Sequence, residues 1–367
     1  MYCYSSKAAP SLLIQLGMLI NNYFRKNYRI KSQLSHILVT GGTGFLGAYV
    51  ISELMARGYK VRALKRPSGS WPAFMDSHLS DEVDWVEGDV LDQPSLENAL
   101  QGIDGVVHAA GVVSFSKHDR ERMYKVNVEG TANIVNASLE TGVRRFLQIS
   151  SVAALGRRAV AGRLDETSKW QQDPGQTHYA ISKYRGELEV WRGFAEGLNG
   201  AILYPATILG YGDWHTGSCA IFRNVYDEFG WFSRGINGFA GVDDTARAVA
   251  ALLESDVTEE RFIVCNDNWS FKTLLETMAD GFGRRRPSRE ATPLIAALAW
   301  RYEKLRSLFT GQAPLITRES AQVANANALF DSSKFLKTFP EFHYHSLEQI
   351  IKEACSRYLD DVRMSKS

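Results

Sequence analysis

The chain has 367 residues, 45% of them apolar and 23% charged, which excludes a disordered or collagen-like protein and leaves room for a nucleotide-binding domain with a smaller cap. A formal net charge of +1 gives no electrostatic reason to expect nucleic acid as a partner. Cys3, Cys219, Cys265 and Cys355 lie far apart with no CxxC spacing, so a reduced, cytoplasmic protein without a metal site is expected.

Residues 1–34 stand apart from the rest. Leu12 to Ile20 is apolar but broken by Gln15 and Gly17, far short of the ~20 residues a membrane span needs. Basic residues follow this stretch, the reverse of a secretory signal. The segment reads as an extension outside the fold, with Met18 a rival start. A weak amphipathic anchor through Tyr23, Phe24, Arg25 and Lys26 is the sharper alternative, but membrane association is not expected.

From His36 onward, short β-branched runs alternate with amphipathic stretches. Strands are predicted at His36–Thr40, Lys60–Leu64, Val83–Glu87, Gly105–Ala109, Arg144–Ile149 and Ala201–Tyr204. Helices are predicted at Gly44–Arg57, Ser95–Leu100, Arg120–Thr141 and Tyr179–Gly197. This alternation implies an α/β fold, a Rossmann-type doubly wound parallel sheet covered on both faces, over residues 35–204. After Pro205 the alternation weakens. Residues 205–360 read as a smaller, mainly helical substrate cap with some segments returning to the sheet, and 361–367 as a frayed tail. The apolar run Pro293 to Trp300 ends in charged residues and reads as an amphipathic cap helix.

The first strand runs into Thr40-Gly41-Gly42-Thr43-Gly44-Phe45-Leu46-Gly47 and then a helical pattern. Gly41 permits a tight turn, Gly44 lets backbone approach a pyrophosphate, and Gly47 allows close helix–strand packing. The free N–H groups of the helix start would face the phosphates. The second strand ends in Leu64-Lys65-Arg66 with no carboxylate for a ribose hydroxyl. Arg66 suits the 2′-phosphate, so NADP is favoured over NAD, the alternative being that Lys65 and Arg66 are solvated loop charges. Asp89, followed by Val90, is placed to meet an adenine, and Ala109, Ala110 and Gly111 give small residues beside a flat ligand. His108 reads as packed in the strand end, not as a catalyst.

Tyr179 and Lys183 lie one helical turn apart on one face. A phenol titrates near ~10, and a fixed ammonium with an oxidised nicotinamide nearby would pull that value down. A chance tyrosine and surface lysine is the plain alternative. Ser150 and Ser151 at the carboxyl end of the preceding strand add hydroxyls that can support a substrate oxygen.

With TGGTGFLG, GDV (Gly88–Val90), HAAG (His108–Gly111), VNVEGT (Val126–Thr131), SSVAALG (Ser150–Gly156) and YAISK (Tyr179–Lys183) in this order, residues 36–360 resemble the extended short-chain dehydrogenase/reductases, or NAD-dependent epimerase/dehydratase superfamily. The resemblance implies Ser151, Tyr179 and Lys183 as the catalytic set. It implies a cofactor site of Gly41, Thr43, Gly44, Phe45, Leu46, Gly47, Arg66, Asp89, Val90, Ala109, Ala110, Gly111, Asn127, Lys183 and Pro205. Val152-Ala153 replaces the Asp-Glu pair of sugar dehydratases. Tyr204 stands where a basic residue would suit a nucleotide diphosphate, with Arg223, Arg234 and Arg247 as substitutes. PATILGYGD and Arg66 look most like dihydroflavonol reductases and related aldehyde or ketone reductases.

The expected reaction is reversible hydride transfer between NADP(H) and a small carbonyl or alcohol substrate. An NAD-dependent nucleotide-sugar epimerase or 3β-hydroxysteroid-type dehydrogenase is the alternative, and a non-catalytic dinucleotide sensor is the alternative of another class. Trp214, Phe222, Tyr226, Trp231 and Phe232 are candidates for an aromatic pocket, with core packing the plainer role for each. A homodimer is left open. Gly235–Phe239 resembles a return to the main sheet, and the segment from Asp331 resembles family scaffold.

Overall fold

The computed structural model describes residues 34–156, 162–171, 173, 175–310 and 317–364. Residues 1–33 of the expected extension, with the anchor and Cys3, and the last three residues of the expected tail lie outside the described residues; Leu34, expected outside the fold, is buried in the main core, so the fold begins one residue earlier.

Seven strands form one parallel sheet: β1 (His36–Thr40), β2 (Lys60–Lys65), β3 (Asp84–Glu87), β4 (Gly105–His108), β5 (Arg145–Ile149), β6 (Gly200–Pro205) and, after a gap in sequence, β10 (Glu260–Val264), in the order β10-β6-β5-β4-β1-β2-β3. The four central strands β1, β4, β5 and β6 are buried almost throughout, which is why they read as unbroken apolar runs rather than as alternation. Strand order reverses between β1 and β4, where Val39 pairs with Val107 and Thr40 with His108. Ligands of doubly wound sheets bind in the crevice at this point. The Rossmann-type reading holds, and β10 is one of the segments that returns from the later half of the chain.

Among the described residues, five further strands lie outside the main sheet in two small ones. Strands β7 (Thr207–Leu209), β9 (Ile236–Gly241) and β11 (Asp267–Ser270) form one, and β8 (Trp231–Phe232) pairs with β12 (Arg289–Glu290) in the other. The segment Gly235–Phe239 therefore does not return to the main sheet. Its backbone is taken by β7 on one side and β11 on the other. Helix Val242–Leu253, which follows β9, packs against helix Phe45–Ala56. The helical remainder has its own core, in which Phe222, Phe282 and Tyr358 meet near Leu274 and Ile351.

Two further expectations are corrected. Arg120–Thr141 is not one regular helix: Arg120–Tyr124 and Gly130–Glu140 are joined by a π-helical turn over Lys125–Glu129. Residues 361–364, expected in a frayed tail, are helical, because helix Leu347–Met364 continues through them and Tyr211 donates to the Asp361 carboxylate at 2.6 Å. Phe335, Phe339, Phe342 and Tyr344 pack together beside Phe262 of β10, the scaffold role expected of that segment.

Helix Phe45–Ala56 lies so close to the turn before it that a Cβ on Gly47 would sit 2.1 Å from the carbonyl oxygen of Gly41. Gly47→Ala is expected to destabilise the fold by about 1–3 kcal/mol through overpacking. Gly230→Ala, where a Cβ meets nothing within 4 Å, should stay within about 0.5 kcal/mol of the parent in the same urea titration.

Candidate active site

The cofactor turn is built of backbone pressed on backbone. Gly41 adopts φ +75°, and a Cβ there would lie 2.7 Å from both Ala109 C and Ala110 N, so the loops ending β1 and β4 pass in contact. Gly44 caps helix Phe45–Ala56 with no side-chain hydrogen bond, and no acidic residue occupies the first turn. The first N–H groups therefore keep their capacity for an anion, a donor set that fits a dinucleotide pyrophosphate. Arg66 follows the last residue of β2 and is exposed at the same sheet edge, while Lys65 is drawn over the Trp85 ring at 5.7 Å. Asp89 accepts from Leu91 N at 3.0 Å, and Val90 packs so near Gly130 that a Cβ there would lie 2.6 Å from it. Pro205 is buried at the end of β6.

Between these loops runs a buried chain of hydrogen bonds. Ala110 N–H donates to Thr40 Oγ1 at 3.2 Å; Thr40 Oγ1 and His108 Nδ1 are 2.7 Å apart; His108 Nε2 and Thr131 Oγ1 are 3.1 Å apart; and Thr131 Oγ1 donates to the Asn127 carbonyl at 2.9 Å. That carbonyl can only accept, so Thr131 must spend its proton there and accept from Nε2–H. Thr40 then donates to a bare Nδ1. His108 is thus fixed as the neutral Nε2–H tautomer. Burial, with nearby Lys183, depresses its pKa to about 3. The packed strand-end role expected of His108 is what the structure contains.

The chain ends at the π-helical turn, and the turn explains Asn127. Its amide accepts from Val112 N at 2.7 Å and donates to Val112 O at 2.9 Å and Ser182 Oγ at 3.0 Å. Its carbonyl meets helix His178–Ala195 at Gly186, where a Cβ would lie 2.1 Å from that oxygen. Gly111, Asn127 and Lys183 converge: a Cβ on Gly111 would lie 3.3 Å from Asn127 Oδ1 and 3.7 Å from Lys183 Nζ.

Ser151, Tyr179 and Lys183 meet at the carboxyl edge of β5. Ser151 caps the short turn Val152–Leu155 by accepting from Ala153 N at 3.2 Å and stands beside Tyr179, whereas the Ser150 hydroxyl is buried and faces no hydrogen-bond partner. Thr177 caps the helix that carries the other two by accepting from Ala180 N at 3.1 Å. Lys183 Nζ donates to Ile149 O at 2.8 Å. Burial lowers Lys183 to about 8, and Glu187 one turn further along works against that fall. The lowering expected for Tyr179 is not seen among the chain's own groups. Burial pushes the phenol up, and the neighbouring Ser151 hydroxyl offsets part of this.

Sequence reasoning missed two neighbours. Phe115 meets the Tyr179 ring edge-on at 6.3 Å, in a loop whose only signal was an apolar VVSF run after the glycine. Glu187 is buried, and its Oε1 accepts from Trp191 Nε1 at 2.9 Å and from the Tyr204 hydroxyl. Tyr204 is fully buried and points to Glu187, so its identity says nothing about a nucleotide diphosphate. Of the substitutes, Arg247 is bound to buried Asp244, Arg234 to Glu290 and Arg223 to Asp227. Trp214 stacks on Tyr358 at 5.1 Å and joins Phe222 and Tyr226 in the second core, while Trp231 and Phe232 sit in the β8–β12 pair.

His108→Phe strands two buried hydroxyls and should cost roughly 2 kcal/mol or more at neutral pH. Because the native imidazole titrates far below its unfolded value, the parent alone loses stability as pH falls below about 6.5. The gap between parent and variant, read from urea midpoints, should narrow at pH 5.

The family model described as NAD dependent epimerase/dehydratase matches residues 37–265, from β1 through β10. A putative dihydroflavonol 4-reductase of Synechocystis sp. is 32% identical over 310 residues, covering 81% of this chain and 87% of that protein. Sterol demethylase protein B of Methylococcus capsulatus is 29% identical over 81% of this chain and 90% of its own length. The crystal structure of gox2253 has a TM-score of 0.75 at 27% identity, covering 90% of this chain and 99% of that one. The chain therefore belongs to the NAD-dependent epimerase/dehydratase family, the extended short-chain dehydrogenase/reductases, and is an NAD(P)-dependent oxidoreductase-type enzyme.

Proposed function

We propose that the protein is an NADP-dependent reductase that converts an apolar aldehyde or ketone to its alcohol, reversibly. The observation that carries this reading is the placement of Tyr179 and buried Lys183 one helical turn apart on helix His178–Ala195, beside Ser151 at the end of β5, with Lys183 Nζ donating to Ile149 O at 2.8 Å. NADPH supplies the hydride when bound. Gly41, Thr43, Gly44, Phe45, Leu46 and Gly47 would hold its pyrophosphate, Arg66 its 2′-phosphate, Asp89 and Val90 its adenine side, and Ala109 to Gly111, Asn127, Lys183 and Pro205 its nicotinamide half.

In the reductive direction the proton donor must begin protonated. A phenol raised by burial meets that requirement at neutral pH, while Lys183, near 8, keeps its charge beside it. Ser151 holds the substrate oxygen, Tyr179 gives it a proton, and Lys183 stabilises the phenolate left behind. Val152 and Ala154 are buried in the turn after Ser151, and no carboxylate stands there to drive elimination of water. Phe115 against Tyr179, with Val113 exposed in the same loop, supports an apolar substrate. The sterol in the name of the Methylococcus relative points the same way.

Tyr179→Phe should lower turnover about 10²–10⁴-fold and leave NADPH binding intact. Surviving turnover would remove Tyr179 as the donor. Arg66→Glu should weaken NADPH by roughly tenfold to a hundredfold in a fluorescence titration and spare NADH. NADPH affinity should fall as pH rises through about 8, where Lys183 loses its proton, and Glu187→Gln should move that fall to lower pH.

A further inference from the structure

Helix Pro293–Thr310 carries its apolar stripe on the outside. Leu294, Leu298 and Tyr302, spaced four apart and so on one face, are 72%, 61% and 67% exposed, and Ile295 beside them is 38% exposed. Toward the protein the same helix presents Ala296 and Glu303, both buried. A helix packed only on its own domain has the opposite polarity. Four large apolar side chains in one patch mark a surface that meets something.

The charge around the patch indicates what that is. Residues 284–306 hold seven Lys or Arg and two Glu, a net +5 within a chain of net +1. Arg284, Arg285, Arg286, Arg289 and Arg301 are exposed. Three of these guanidinium groups lie over aromatic rings: Arg284 over Tyr226 at 4.4 Å, Arg289 over Trp231 at 5.7 Å and Arg301 over Trp300 at 4.6 Å. Arg286 is paired with Asp280. An exposed apolar face that carries Arg301 and directly follows a run of exposed arginines has the composition of an interfacial segment.

We infer that this face docks on a bilayer surface containing anionic lipid, with Leu294, Ile295, Leu298 and Tyr302 entering the headgroup boundary and the arginines meeting lipid phosphates and carboxylates. No helix among the described residues is long and apolar enough to cross a membrane, so the contact is with one leaflet. The helix packs on helix Arg318–Ala324, and Glu319 of that helix accepts from the backbone N–H of His178 at 3.2 Å, one residue before Tyr179. Helix Arg318–Ala324 thus links the docked helix to the start of the helix that carries Tyr179. The inference concerns binding alone and stands whether or not the reductase reading does.

The test is flotation of the full chain with vesicles of phosphatidylcholine, with and without phosphatidylserine, over a salt series. The parent should float with the anionic vesicles and be released by salt. Leu294→Asp with Leu298→Asp should reduce binding about tenfold or more. Arg285→Glu and Arg301→Glu should each reduce it about fivefold on anionic vesicles. All four positions are exposed, so thermal midpoints should match the parent. Failure of the parent to float, or equal flotation of the variants, would overturn the inference. So would a parent dimer that Leu298→Asp converts to monomer without any vesicle binding, which would assign the face to a second copy of this chain.

Discussion

A buried imidazole flanked by two threonine hydroxyls has only one proton arrangement here that leaves no donor facing a donor, and the carboxyl edge of the sheet is organised around it. Because Thr131 must donate to the Asn127 carbonyl, the direction of every bond back to Ala110 N–H is set. The β4 loop is thereby held against the glycine turn on one side, and the π-helical turn against helix His178–Ala195 on the other. Removing any member leaves a buried polar group without a partner, at about 1–3 kcal/mol each. Gly111, Asn127 and Lys183 come within reach of one another because both ends of this chain are fixed.

The central strands β1, β4, β5 and β6 are legible because each is buried on both faces, and the predicted strand ends differ from the observed ones by a residue at most. The glycine turn was legible for a steric reason: only glycine tolerates backbone contact at Gly41 and Gly47. The π-helical turn was not legible. Arg120 to Thr141 has the apolar spacing of a continuous helix, and what bends it is the demand of Thr131 and Gly186 for the Asn127 carbonyl, a contact 59 residues distant in sequence that periodicity cannot register. Strand β9 was misplaced for a similar cause: its partners β7 and β11 are too short to carry a pattern, so nothing local distinguished the small sheet from the large one.

Tyr204 was read by position alone, and the inference drawn from it fails. In a strand covered on both faces, successive side chains pack against helices on opposite sides, and Tyr204 is buried toward helix His178–Ala195. Its hydroxyl goes to Glu187, which also holds Trp191 and stands near Arg261. Val152-Ala153 still speaks against sugar dehydration, and the reading on a nucleotide diphosphate rests on the arginines engaged elsewhere.

The same contact gives Tyr204 a place in the chemistry at one remove. Tyr179, Lys183, Glu187 and Trp191 follow one another at four-residue spacing, so a single helix stripe carries a phenol, an ammonium, a carboxylate and an indole inward from the sheet edge. A lone ammonium buried as Lys183 is would give up its proton, because desolvation opposes the charged form. Ile149 O solvates it from one side and the Glu187 carboxylate balances it from below. That carboxylate is in turn buried and is held by Trp191, Tyr204 and Arg261. The charge beside Tyr179 is thus held in place by layers of partners reaching to β10 at the far edge of the sheet. A site that looks like three residues in the sequence is, electrostatically, the outer end of a stack that the whole parallel half of the fold supports.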